Sequence, residues 1–228
     1  MSEALNERLA SIRERIASAC ARAGRDLSEI TLIAVTKRHP VAVLEEVLAA
    51  GVVDLGENRV QELLEKLPAL ETRARFHLIG QLQNNKVNKV VGRVAAIHSV
   101  DRPELMTRIE RRAAELCVHQ RIFVQVNVSG EEQKGGCAPD DARPLWDIAL
   151  TAEHVEPLGL MTMAAEGLDE ASTRRQFACL RELGDSLPRP GGLTLAFSMG
   201  MSADFEWALA EGATHLRLGT VLVGPRSA

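Results

Sequence analysis

The chain has no tyrosine, and aromatic residues of all kinds occupy only 3% of its 228 positions. Its core must therefore be aliphatic, made of Leu, Val, Ile and Ala, and none of its own side chains can supply a phenol for chemistry. Cysteine is sparse: Cys20, Cys117, Cys137 and Cys179 form no Cys-x-x-Cys pair and show no metal-ligand spacing. That pattern fits reduced thiols in a cytoplasmic protein rather than a disulfide framework. No apolar run approaches the roughly 20 residues a membrane helix needs, and MSEALNERLASIRERIA at the N-terminus reads as a charged amphipathic helix, not a signal peptide. A formal net charge of −4 gives no general attraction to nucleic acid or to an anionic membrane. Repeats, low-complexity tracts and linkers are also missing. The expectation is one soluble, cytoplasmic, monomeric domain over residues 1–228, whose 46% apolar content is enough for a sizeable core.

What is present is a regular alternation. Residues 3–22 carry Leu5, Leu9, Ile12, Ile16 and Ala19 at three- and four-residue spacing and read as one leading helix. Ile30–Val35 is a near-continuous apolar run, as expected of a parallel strand covered on both faces. Pro40 then opens a helix over Val41–Ala50. Further strands are expected at Val53–Gly56, Phe76–Gly80, Val94–Val100, Arg121–Val128, Leu158–Met163, Leu193–Phe197 and His215–Leu218. Helices fall between them: one limited by Pro68 at about Leu67, one opened by Pro103, one over Asp140–Thr151, one over Asp169–Leu183 and one over Ser202–Glu211. Eight strands alternating with helices predict a single (β/α)8 barrel, with the leading helix covering the gap after the eighth strand. The alternative, a doubly wound open sheet, would show a glycine-rich fingerprint after its first strand, and VTKRHP is not one.

In a barrel the chemistry collects at the strand C-termini. Read in order, these ends supply Lys37, Asn58, Gly80, Asn127, Met161, the Ser198-Met199-Gly200-Met201-Ser202 corner and Arg217-Leu218-Gly219-Thr220. Phosphate sites in barrels commonly use the loops after strands seven and eight. Ser202 stands where it could cap the next helix or meet a phosphate, and Gly200 and Gly219 would let the backbone come close. A phosphate opposite a lysine suggests pyridoxal 5′-phosphate (PLP) held as a Schiff base. The amine must be neutral to attack the aldehyde, and burial beside Arg217 would lower its pKa.

AVTKRHP, LGENRVQE, FHLIGQLQNNK, QVNVSGEEQKGG, GLMTM, SMGMSADFEWAL and LRLGTVLVG, in this order, make the chain resemble the pyridoxal phosphate homeostasis proteins, which share the barrel of alanine racemase. The resemblance runs from the first helix to Gly224. It implies a fold-type III PLP barrel without the additional β-domain of the racemases. By that resemblance Lys37 carries the cofactor, Asn58, Met161, Ser198, Gly200, Met201, Ser202, Gly219 and Thr220 surround it, and Arg217 faces the pyridine nitrogen. An arginine there disfavours a protonated ring and weakens the electron sink of amino-acid chemistry. Arg59 departs from the family, where an aromatic residue usually follows GEN. The expected function is therefore to hold and buffer PLP for vitamin B6 homeostasis and to deliver it to PLP-dependent apoenzymes, with little or no catalysis. The alternative is a racemase-like enzyme, which would need a second acid–base group that this chain does not supply as tyrosine. Other positions carry plainer expectations. His77 is expected to be a satisfied structural histidine, Lys134 a solvated loop lysine, Cys137 an unactivated thiol, and Asn84-Asn85-Lys86 a possible rim of the mouth.

Overall fold

The computed structural model describes residues 2–225; Met1 and residues 226–228 of the expected domain lie outside the described residues. Eight parallel strands close into a barrel in sequence order. They are β1 Thr31–Val35, β2 Asp54–Glu57, β3 Arg75–Leu78, β4 Ala96–Val100, β5 Gln120–Gln125, β6 Val155–Met161, β7 Ala196–Ser198 and β8 His215–Leu218. The ring closes through β1 and β8, where Ile33 stands opposite Arg217 and Ala34 opposite Leu218. Helices α1 Ser2–Ala23, α2 Val41–Ala49, α3 Val60–Leu70, α4 Val87–Val90, α5 Pro103–Leu116, α6 Pro139–Thr151, α7 Glu170–Ser186, α8 Phe205–Ala210 and α9 Thr220–Val223 complete the chain.

Side chains alternate across each strand, and the two faces differ sharply in polarity. The outward residues Ala34, Leu55, Ile97, Ile122, Val124, Leu160, Leu216 and Leu218 merge with Leu44, Leu63, Ile109, Trp146, Phe177 and Leu209 of the helices into one core. Each fully buried large aliphatic side chain there contributes about 1.5–3 kcal/mol. Among the described residues, Ala96, Phe123 and Met161 form a small separate apolar cluster inside the barrel. Asp54, His77, His98, Gln125, Ser198 and Arg217 are also buried.

As expected, α1 covers the region after β8. Its stripe Leu5, Leu9, Ile12 and Ile16 is buried, and it packs on α8 and α9. Arg8 Nε donates to the Leu222 carbonyl at 2.8 Å, and Arg15 pairs with Glu206 at 2.9 Å. Some boundaries differ from the expectation. Pro68 does not end α3, which runs on to Leu70. Leu67 and Leu70 are buried on the core, and that burial outweighs the hydrogen bond a proline forfeits. Strand β6 begins at Val155, paired with Gln120, and the register shifts between Ile122 and Phe123. Helix α8 begins at Phe205, after a turn that the sequence reading had assigned to it.

Candidate functional site

The strand ends open onto a cavity of about 470 Å³ lined by Lys37, Asn58, Met201, Ser202, Arg217, Gly219 and Thr220, with Val35, Ile79, Met163 and Trp207 as apolar wall. This is a volume typical of small-ligand sites. Lys37 sits half-buried on the turn after β1. Asn58 follows β2, and its carbonyl lies so close to Gly80 that a Cβ there would be 2.1 Å from the oxygen. Glycine is therefore required at position 80 to bring the ends of β2 and β3 together. The Asn58 side-chain oxygen Oδ1 is buried with no hydrogen-bond partner, and it belongs to a residue that lines the cavity.

Arg217 is the fixed cation of the site. It is 3% exposed, and its guanidinium donates to Ser198 Oγ and to the Thr162 carbonyl, both at 2.7 Å. Burial lowers its pKa to about 10, partly offset by Asp204, so it stays charged at neutral pH. Below it runs a buried chain of hydrogen bonds. Ser198 Oγ meets His98 Nδ1 at 2.8 Å, His98 Nε2 meets His77 Nδ1 at 3.0 Å, and His77 Nε2 meets Asp54 Oδ1 at 3.0 Å. Arg217 can only donate, and an ionised Asp54 can only accept. The directions consistent with both ends run Arg217 to Ser198 to His98 to His77 to Asp54. Burial holds the His98 pKa well below the usual imidazole range, and His77, His215 and Arg217 add to the effect. Burial alone would raise Asp54, but hydrogen bonds from His77 and Arg75 outweigh it and hold the carboxyl below its ordinary value. His77 is thus fully partnered, as expected, though as part of a polar chain and not as an isolated core residue.

Several expected site residues lie elsewhere. Met161 is fully buried in the barrel interior against Ala96 and Phe123; Met163, two residues on and on the same side of the chain, lines the cavity. Ser198 is buried beneath Arg217 and acts on the site through it. Gly200 has φ 93°, and a Cβ there would be 2.7 Å from Ala208 Cβ. This lets the β7 loop turn against α8, and Gly200 itself is not among the residues that line the cavity. Ser202 does not cap α8, whose N-cap is Asp204. The Asp204 carboxylate instead accepts the Met201 N–H at 2.6 Å, which leaves Ser202 on the cavity wall beside the Gly219-Thr220 turn, with its Oγ 3.5 Å from the Val221 N–H.

Lys134 is not a solvated loop lysine. Its side chain is 11% exposed, and Nζ donates to the Ala164 carbonyl at 2.8 Å, beside the cavity wall. Asn84, Asn85 and Lys86 do not line the mouth: Asn84 accepts from Arg102, and Lys86 borders a separate surface groove with Lys89. Cys137 is buried and its thiol pushed up to about 12, mainly by burial. Among the described residues no cluster of His, Cys, Asp and Glu could hold a metal ion, and no helix is long and apolar enough to cross a membrane. Sequence reasoning missed His98 and Lys66, and it placed Glu57 at the end of β2 without a role. The only signal for His98 was a polar residue at alternate spacing inside the buried strand Ala96–Val100.

A parallel barrel whose mouth combines an amine, a buried guanidinium and a hydroxyl-bearing turn after β7 and β8 is the barrel of the alanine racemase class. The family model described as "Alanine racemase, N-terminal domain" matches residues 8–227. Alanine racemase of Clostridium difficile superposes with a TM-score of 0.75 at 16% identity, covering 92% of this chain and 57% of that one, so the likeness is of fold and only to part of the racemase. Within the class, the chain belongs to the pyridoxal phosphate homeostasis protein family. It is 43% identical over 222 residues to the pyridoxal phosphate homeostasis protein of Aquifex aeolicus, covering 96% of this chain and 97% of the relative. To that of Escherichia coli K12 it is 34% identical over 229 residues, covering 96% and 95%. PipY of Synechococcus elongatus, whose structure was solved with PLP bound, superposes with a TM-score of 0.84 at 38% identity, over 96% of this chain and 100% of PipY.

Proposed function

We propose that this protein binds PLP as a Schiff base on Lys37, buffers it, and passes it to PLP-dependent apoenzymes without turning amino acids over itself. The observation that carries the reading is that Lys37, Arg217 and the Ser202 and Gly219-Thr220 turns line one cavity. The residues suit the group: a half-buried amine for an aldehyde, a donor-only guanidinium for a ring nitrogen, the Ser202 and Thr220 hydroxyls for a phosphate, and the unpartnered Asn58 Oδ1 for a ring substituent that can donate. The relatives' family name and the PLP-bound PipY support the same assignment.

When bound, the cofactor supplies an aldehyde to which an amine adds with loss of water, and an electron sink whose strength depends on its ring nitrogen. The protein's own groups set how much of that is used. Arg217 brings a proton donor and a full positive charge, and the chain from Ser198 to Asp54 holds it in place. Arg217 would donate a hydrogen bond to a ring nitrogen placed against it and, by its charge, would disfavour protonation there, leaving a poor electron sink. The racemase-like alternative also needs a second acid–base group. The sequence contains no tyrosine, and the buried Cys137 thiol, pushed up to about 12, is no base.

The test is an absorption spectrum of the purified protein loaded with PLP. A visible band that borohydride bleaches, with the pyridoxyl group found by mass spectrometry on Lys37 and lost in Lys37→Ala, is the expected result. Label mainly on Lys86 or Lys134 overturns the site. Deuterium entering the α-carbon of alanine at about 1 s⁻¹ or faster, a rate typical of enzymes, overturns the non-catalytic reading.

A further inference from the structure

Lys37 stands on a turn whose backbone is tied on both sides to one buried ionic cluster. Lys66 of α3, its side chain 6% exposed, spends all three ammonium donors: on Glu57 Oε1 at 2.7 Å, on Glu62 Oε1 at 2.7 Å and on the Thr36 carbonyl at 2.9 Å. Glu57, wholly buried at the end of β2, also accepts the Thr36 hydroxyl at 2.7 Å. Glu62 accepts the backbone N–H of Arg38. The Thr36 N–H goes to the Gly56 carbonyl at 3.0 Å. The cluster therefore grips the carbonyl of the residue before Lys37 and the N–H of the residue after it.

Two features argue that this is more than a scaffold contact. Arg38 has φ 64°, in the left-handed region that non-glycine residues rarely adopt. Such a conformation persists where the surroundings over-determine it, and the Glu62 bond to the Arg38 N–H does so. In addition, taking the Glu57 carboxylate and the Lys66 ammonium out of water is expensive, and buried ion pairs are often replaceable by apolar side chains without loss of stability. Stability alone is then a weak reason for the cluster, whereas geometry at the neighbouring amine is a specific one.

We propose that Lys66, with Glu57 and Glu62, is the positioning device for Lys37: it locks the Thr36–Arg38 backbone so that Nζ enters the cavity in the one orientation that reaches an aldehyde carbon. The bond served is N–C, formed as Nζ adds to the carbonyl carbon while the oxygen leaves as water. A misplacement of about 1 Å at such a centre costs up to about 10²-fold. The inference rests on the assignment of Lys37 as the aldehyde-binding amine.

The experiment compares PLP with 4-deoxypyridoxine 5′-phosphate, which has the same ring and phosphate but no aldehyde, on wild type, Lys66→Met, Lys66→Arg and Glu62→Ala. Lys66→Met is expected to slow formation of the visible band and weaken PLP by about 10- to 100-fold, while affinity for the deoxy analogue stays within about twofold and the far-UV circular dichroism is unchanged. Lys66→Arg, which keeps charge and donors, should recover part of the loss. Should Lys66→Met not fold, Glu62→Ala carries the test: it removes the partner of the Arg38 N–H and should slow band formation about 3- to 10-fold with the analogue again unaffected. Equal losses for PLP and analogue, or no loss for either, overturn the positioning role. A wild type that forms no band on Lys37 fails the parent assignment instead, so the two failures are distinguishable.

Discussion

Lowering the pH from 7 to 5 should destabilise the barrel through His215, and the size of the effect follows from where that side chain lies. His215 packs edge-on against Phe123 with ring centres 5.0 Å apart and contacts Thr214 Oγ1 at 2.9 Å. Burial pushes its pKa down to about 4 from an ordinary 6.5, with His77, Arg217 and Arg75 adding to the shift and Asp54 opposing it. A histidine depressed in the folded state binds its proton more readily when unfolded, so its contribution is complete above about pH 6.5. It is lost as the pH falls toward 4. At pH 5 the unfolded imidazole is protonated about thirtyfold over its neutral form while the folded one is scarcely protonated, which amounts to roughly 2 kcal/mol. Out of a typical total of about 5–15 kcal/mol that is a large loss. His98 acts with the same sign. Glu57 and Asp204 act with the opposite sign, because burial raises both carboxyls above the ordinary range, against the pull of Lys66 and Thr36 on the first and of the Met201 N–H on the second. The raw pH profile therefore mixes signs, and the informative quantity is the difference between wild type and His215→Phe in urea denaturation at pH 7, 6 and 5. The wild type should lose about 2 kcal/mol relative to the variant over this range. Parallel profiles would refute the reasoning, because they would mean that His215 titrates alike folded and unfolded.

Two further outcomes are expected from local geometry. Cys117 ends α5 with φ 53° and is exposed. Cys117→Gly should relieve the left-handed conformation at the cost of some unfolded-chain entropy, for a net gain of about 0.5–1 kcal/mol, read as a rise in thermal midpoint of about 1–4 °C; an unchanged or lower midpoint would show that no relievable strain resides there. Ser202→Ala combined with Thr220→Val should weaken PLP far more than unphosphorylated pyridoxal, each lost charge-assisted hydrogen bond being worth about 1.5–3 kcal/mol; equal losses in fluorescence titration would assign these hydroxyls to packing alone.

The strand-by-strand order was legible because each β-strand is a short apolar run bounded by Gly, Pro or charge, and the positions of Lys37, Asn58 and Arg217 at strand ends follow once a barrel is assumed. Depth within the barrel was not legible. Met161 and Met163 both sit near the end of β6, and which of them meets the cavity depends on how far the strand rises before the loop departs, set by pairing with Ser198 of β7. The start of α8 was not legible for a related reason. A serine ahead of an acidic turn is a good N-cap signal, but Asp204 took the Met201 N–H, and the helix began two residues later than a cap at Ser202 requires. Lys66 was hidden more deeply: nothing in its spacing marks it, and only the approach of α3 to Thr36 and Glu57 buries it in an ionic cluster.

The polarity of the lumen was a further feature that the strand pattern did not display. A (β/α)8 barrel ordinarily fills its interior with layers of branched aliphatic side chains, and a reader of the sequence places apolar residues there by default. Here the interior between Asp54 and Arg217 is filled by His77, His98 and Ser198. An unpaired buried polar group costs about 1–3 kcal/mol, so such a filling holds only if every donor finds an acceptor. An acceptor-only carboxylate at one end and a donor-only guanidinium at the other meet that condition with a single direction of bonding. Stability comes instead from the outer interface, where aliphatic strand faces meet the helices. The division leaves the lumen free to support one charge at the mouth. Removing the middle of the chain would then disturb Arg217 before it disturbed the fold.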